Sequence, residues 1–154
     1  MERLWKHVYS KIFSTSLHYQ TEALARHWSL NKSGICLLSP ECSTQGLRED
    51  VQHLLQFCPA LHETREKLYD YTVHVTSSLD IFLQEQIRNL CSPLNQDFCQ
   101  FIIDCSTIPS VISMVQSYGS SILSDILEIS RTWIFVIHRE RLRRLDRWKP
   151  GQKL

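Results

Sequence analysis

Residues 36–58 read "CLLSPECSTQGLREDVQHLLQFC", and Pro59 follows directly. Three of the chain's six cysteines and one of its seven histidines fall within this stretch. Five residues separate Cys36 from Cys42, ten separate Cys42 from His53, and four separate His53 from Cys58. Three thiolates and one imidazole form the donor set of a closed, tetrahedral structural zinc site. Cys36 and Cys42 lie in a segment, 35–46, read as irregular coil that can fold around an ion. On a regular helix, at about 100° per residue, His53 and Cys58 would point about 140° apart. Pro59 disfavours helical geometry at Cys58, which lets that residue swing back toward His53. A metal-free reading stands beside this one. Free cysteine packs as a small hydrophobe, Cys58 follows Leu54 and Leu55, and the first cysteine gap is wider than the two to four residues usual for zinc.

The rest of the chain is built for helices. At 154 residues it is one domain's worth, enough to bury roughly two-thirds of its extended surface. A hydrophobic content of 43% against 21% charged residues excludes a disordered chain. Four glycines and five prolines leave little material for tight turns or flexible linkers. No apolar run reaches the roughly 18 residues that a membrane-crossing helix needs. The start, "MERLWKHVYSKIF", lacks the apolar core and small-residue cleavage site of an export signal. An intracellular setting, cytoplasmic or nuclear, is therefore expected, where thiols stay reduced or bind metal.

Apolar residues spaced three and four apart predict the helices. Leu4, Val8, Ile12, Phe13, Leu17, Leu24 and Trp28 mark helical structure over 3–30, with Gly34 suited to a left-handed cap. Leu47, Val51, Leu54 and Leu55 mark a short helix with Glu49 and Asp50 in its first turn, where the helix dipole favours anions. Further helices are expected from about Leu61 through "HETREKLYDYTVHV", over 80–91, within 96–105, from Pro109 to Gly119, and over 120–147. The "WIFVI" patch at 133–137 could pass for a strand, but a lone strand has no partner, so it reads as buried helix. The expected fold is all-α: an irregular multi-helix domain with a Cys-His zinc-binding loop between the first and second helical parts. Three segments follow: 1–34 helical, 35–60 zinc-knuckle-like, and 61–154 helical with a basic tail. Cys91, Cys99 and Cys105 have no histidine near, Cys99 and Cys105 sit among Phe98, Phe101, Ile102 and Ile103, and all three read as core thiols.

The stretches "ALARHWSLNKSGICLLSPEC" and "REDVQHLLQFCPALHETREKL" resemble the C-terminal region of LINE-type, non-LTR retrotransposon polyproteins. That family carries a cysteine pair followed by an acidic "E-x-x-x-H-L-L-x-x-C-P" element, matched here by Glu49, His53, Leu54, Leu55, Cys58 and Pro59. "FCQFIIDCSTIPSVISMVQSYG" and "SRTWIFVIHRERLRRLDRW" are similar to the tail of such polyproteins, so the resemblance runs over most of 20–148. The gap between Cys36 and Cys42 departs from the tighter pair common in the family. The resemblance implies a structural, nucleic-acid-associated module downstream of a polymerase, holding one structural Zn2+ through Cys36, Cys42, His53 and Cys58. His62 lies four residues beyond Cys58 and could face the same side, but the family element has no ligand there.

Charge is uneven along the chain. Through residue 130 there are 9 basic and 14 acidic residues, and from 131 onward 8 basic and 2 acidic. Arg139, Arg141, Arg143, Arg144, Arg147 and Lys149, with Trp148 among them, form a basic stripe. Arginine forks pair with phosphate and a flat aromatic stacks on an unpaired base, so RNA or single-stranded DNA is the expected partner. The bland reading is a helix C-terminus complementing its dipole at a solvated end. Catalysis finds no footing. Polymerase chemistry needs clustered aspartates for two metal ions, and the chain has no Asp-Asp pair. It also has no phosphate-cradling glycine loop. The expectation is a non-catalytic, zinc-stabilised helical module with no membrane and no small-molecule partner. Its alternative is a metal-free helical interaction scaffold or a decayed retroelement fragment.

Overall fold

Capping chemistry sets where the elements begin and end. The computed structural model describes residues 23–30 and 34–145. Segment 35–46, expected to be irregular, contains a helix, α1 (Pro40–Gln45). The Ser39 hydroxyl accepts from the Cys42 N–H at 3.2 Å, Pro40 opens the first turn, and Gly46 closes it at φ 65°. Ser39-Pro40-Glu41 is thus cap, proline and acid in the order a helix start favours. The helix predicted over 3–30 is described only from residue 23, and its turn at 23–27 ends on Ser29 at φ 56°. The turn into Gly34, where a left-handed cap was expected, involves residues 31–33, which lie outside the described residues.

The helix predicted from Leu47 starts later, at Val51. Asp50 caps it from outside, its Oδ1 accepting from the His53 N–H at 2.7 Å. Residues before it are extended, and Ile35 pairs with Arg48 in an isolated antiparallel bridge. Among the described residues there is no strand, and the all-α expectation holds. After the metal-ligand segment come α2 (His62–Thr76), α3 (Ile81–Leu90), α4 (Phe98–Ile103), α5 (Pro109–Tyr118) and α6 (Ser120–Arg144). Asp80 caps α3 through the Leu83 N–H at 3.0 Å, and Pro109 opens α5.

The 25 residues of α6 span about 37 Å and form the spine. It packs against α2, α4 and α5. Its buried stripe runs Ile122, Ile126, Ile129, Trp133, Ile137, Arg141, a repeat of three and four that carries an arginine at its end. The "WIFVI" patch lies inside this helix, as expected. At mid-length Trp133 meets the Phe98 ring edge-on at 5.2 Å and donates its indole N–H to Thr72 Oγ1 at 3.0 Å. Arg88 ties α3 to the end of α2 through Val73 O at 3.0 Å and Thr76 Oγ1 at 3.2 Å. Cys91 and Cys105 are buried in this core and Cys99 is half-buried, all three as free thiols. Burial pushes each of them up to about 12. No helix among the described residues is long and apolar enough to cross a membrane.

The far end of α6 closes over the N-terminal turn. His138 stacks on Trp28, ring centroids 5.2 Å apart and planes 1° from parallel. Burial, then the neighbouring Arg141 and His27, lowers His138 to about 4 from 6.5. An unfolded chain therefore takes up this proton near pH 6.5, while the fold resists it down to about pH 4. The stabilisation is complete above pH 6.5 and is lost as pH falls through that window. His138→Phe keeps the stack and removes the titration. Denaturant unfolding at several pH values and equal metal loading should show a shallower loss of stability toward acid in His138→Phe than in wild type. Equal slopes would contradict this account.

Candidate metal centre

His53 and Cys58 meet because the helix between them is wound wide. Residues His53–Phe57 form a π-helical turn, and the Cys58 N–H donates to His53 O at 2.7 Å. A turn closed over five residues returns position i+5 to the face of position i, which a regular α-helix does not do. Cys58 then leaves helical geometry at ψ 118°, and Pro59 opens a 3-10 turn, Pro59–Leu61. Pro59 was expected to release Cys58 alone; the widened turn before it does as much of the turning.

The wide turn leaves Leu54 O without its regular partner, and one side chain takes it up. In an α-helix the Cys58 N–H would take Leu54 O; here it takes His53 O instead. Arg65 fills the gap, donating to Leu54 O at 3.3 Å and to Cys58 O at 2.5 Å. Its side chain is buried. Sequence reading missed Arg65. Its one signal was position, seven residues after Cys58 in the first turns of α2.

Cys36 and Cys42 arrive from the other side. The Cys36 N–H donates to Leu47 O at 2.7 Å and the Leu47 N–H to Cys42 O at 3.0 Å, folding 36–47 back on itself around α1. The Ser43 hydroxyl adds a bond to Cys36 O at 3.3 Å. The wide gap between the two cysteines is the length of chain that α1 consumes. The four donors converge. Cys36 Sγ and Cys42 Sγ each lie 3.9 Å from Cys58 Sγ, and Cys42 Sγ lies 3.5 Å from His53 Nε2. All four donor atoms fall within 4.8 Å of one another, and all four residues are buried. Tetrahedral bonds of about 2.3 Å to sulfur and 2.0–2.1 Å to nitrogen set sulfur–sulfur separations of about 3.8 Å and sulfur–nitrogen separations of about 3.6 Å. The cluster can hold one metal ion. At 3.9 Å the sulfurs are far outside disulfide length.

The surroundings favour thiolate once a cation is present. Backbone N–H groups of Leu38 and Ala60 hydrogen-bond to the sulfurs of Cys36 and Cys58, and the Ser39 hydroxyl donates to Cys42 Sγ at 3.1 Å. Such donors orient metal ligands and tune them. Burial works the other way, pushing Cys36 up to about 12 and raising Cys58. Burial also lowers His53, partly offset by Asp50, so its imidazole is neutral and able to give a lone pair. His62 stays outside, exposed and paired with Glu66 at 2.9 Å.

The basic stripe does not survive intact. Arg141, expected on a nucleic-acid surface, is fully buried and bonded to Glu49 Oε1 at 2.5 Å and Trp28 O at 3.1 Å. Its place on the apolar stripe of α6, four residues after Ile137, turns it inward. Arg139, Arg143 and Arg144 are exposed on α6. Arg147, Trp148 and Lys149 lie outside the described residues. Comparison with protein-family models, with curated proteins and with solved structures found no match to this chain.

Cys58→Ser should lower the free energy of unfolding by more than about 3 kcal/mol, since metal binding energy is folding energy in such sites. With a strong chelator present, the gap between wild type and Cys58→Ser should shrink to about 1 kcal/mol, the scale of an ordinary core change. Denaturant titrations with and without chelator check both. A gap that ignores the chelator would leave only core packing at this position.

Proposed function

We propose that this chain is a non-catalytic helical module, stabilised by one structural zinc ion, that contacts RNA or single-stranded DNA. The observation that carries the reading is the convergence of Cys36, Cys42, His53 and Cys58 in one buried cluster. Three thiolates and an imidazole suit zinc, and they fill a tetrahedral ion's coordination. A catalytic zinc keeps a position for water or substrate; a buried four-donor set leaves none. The resemblance to non-LTR retrotransposon polyproteins supports an origin downstream of a polymerase. The nucleic-acid half of the reading draws on Arg139, Arg143 and Arg144, exposed along α6.

Two measurements test the two halves. Native mass spectrometry on full-length protein, purified without metal-affinity resin, should find one zinc per chain. Protein that stays folded with less than half an equivalent would favour the metal-free scaffold. Binding to a single-stranded RNA should weaken with salt, log K falling about 0.7 for each phosphate engaged per unit of log salt. A salt-independent affinity would exclude phosphate contacts.

A further inference from the structure

Lys67 carries a charge that sequence reading assigned to no site. It projects from α2, far in sequence from the basic stripe, yet lines the same cleft as Arg139, Arg143 and Arg144 of α6. The cleft encloses about 480 Å3. Its floor is closed by the Tyr71 hydroxyl against Thr132 Oγ1 at 3.2 Å, which holds α2 and α6 at fixed separation. We propose that this α2–α6 cleft seats the sugar–phosphate backbone of a single-stranded nucleic acid.

Charge decides the occupant. Four cations line the cleft against two carboxylates, Glu63 and Glu140. Glu140 is shared by Arg143 at 3.5 Å and Arg144 at 3.2 Å. These exposed pairs are worth little and exchange readily for a phosphate. Among the described residues, neither Lys67 nor Arg139 pairs with a carboxylate. Arginines on adjacent turns present forks suited to phosphate oxygens, and lysine adds a point charge from the facing helix. Beside the cleft, Phe135 is 50% exposed with the Arg139 guanidinium 5.6 Å from its ring centre. An arginine against an open aromatic is a platform on which an unpaired base can stack. Phosphate seat and stacking platform lie side by side, which selects a single strand over a closed duplex. The burial of Arg141 sharpens the assignment, because the other three arginines at the end of α6, Arg139, Arg143 and Arg144, all line the cleft.

The inference rests on the nucleic-acid reading above and adds the place where the strand lies. Its test uses the full-length, metal-loaded protein and fluorescein-labelled oligouridylate and oligothymidylate, followed by anisotropy across a salt series. Lys67→Glu and Arg139→Glu should each weaken binding about tenfold at low salt and flatten the salt slope. Lys67→Gln and Arg139→Gln should give smaller losses in the same order. Both positions are exposed, and unchanged circular dichroism and zinc content confirm that the variants fold. Phe135→Ala should weaken binding without changing the salt slope. Wild type that binds while the cleft variants bind equally well would overturn the inference and leave the general reading standing. Loss of binding only in Arg147→Glu and Lys149→Glu would overturn it in favour of the tail. Equal competition by polyglutamate would make the occupant an acidic polypeptide and overturn it as well. Wild type that binds neither oligonucleotide at low salt would remove both the inference and the reading beneath it.

Discussion

Three sulfurs and an imidazole brought together in a dry interior set the terms for the N-terminal half of this fold. Packing neutral thiols there costs little, but the sulfurs are not dispersed as packing alone would place them. Cys36 and Cys42 each place their sulfur 3.9 Å from that of Cys58, close to the separation a tetrahedral ion sets, and each sulfur receives a hydrogen bond of the kind that steadies thiolate. The segment from Cys36 to Cys58 has only short regular structure, and Val51, Leu54 and Leu55 anchor it in the core. It owns one six-residue helix, one isolated bridge and one widened turn. A cation held at both ends of such a segment would tie its short pieces together.

Two buried arginines join that segment to the helical body, each through a different defect. Arg65 takes Leu54 O, which the wide turn leaves over, and adds a bond to Cys58 O, so the distortion that aligns His53 with Cys58 is tolerated. Arg141 reaches from the last turns of α6 to Glu49, beside the bridge that carries Cys36's strand-like neighbour Ile35. Removing one member of a buried ion pair costs far more than the pair itself contributes. Disorder in the ligand loop would strand Arg141 without its carboxylate, and through it disturb the end of α6 that carries the exposed cations. Glu49, inside the Cys-His segment, and the end of α6 are thus joined by one buried ion pair.

The helical body was legible from apolar spacing and punctuation. Asp80, Pro109 and the long stripe of α6 each stood where a helix start or a buried face requires. The Cys-His cluster was legible as well, from residue type and order, although the fold around it was not. α1 hid inside a cysteine-rich stretch too short for periodicity to show, with only Ser39-Pro40-Glu41 to mark it. A π-helical turn has no sequence signature of its own; it follows from where His53 and Cys58 must point. Arg141 was misread because its type spoke louder than its register, although Ile134, Ile137 and the turn after them lead straight to it. Lys67 escaped notice for the opposite reason: alone on α2 it belongs to no run, and only tertiary packing sets it opposite the arginines of α6.

The central claim is that one ion is held by Cys36, Cys42, His53 and Cys58. X-ray absorption at the zinc edge on the purified full-length protein tests it most directly. The account predicts three sulfurs at about 2.3 Å and one nitrogen at about 2.0–2.1 Å, with the nitrogen contribution absent in His53→Cys. A first shell of oxygen and nitrogen without sulfur, or a shell unchanged by His53→Cys, would contradict it.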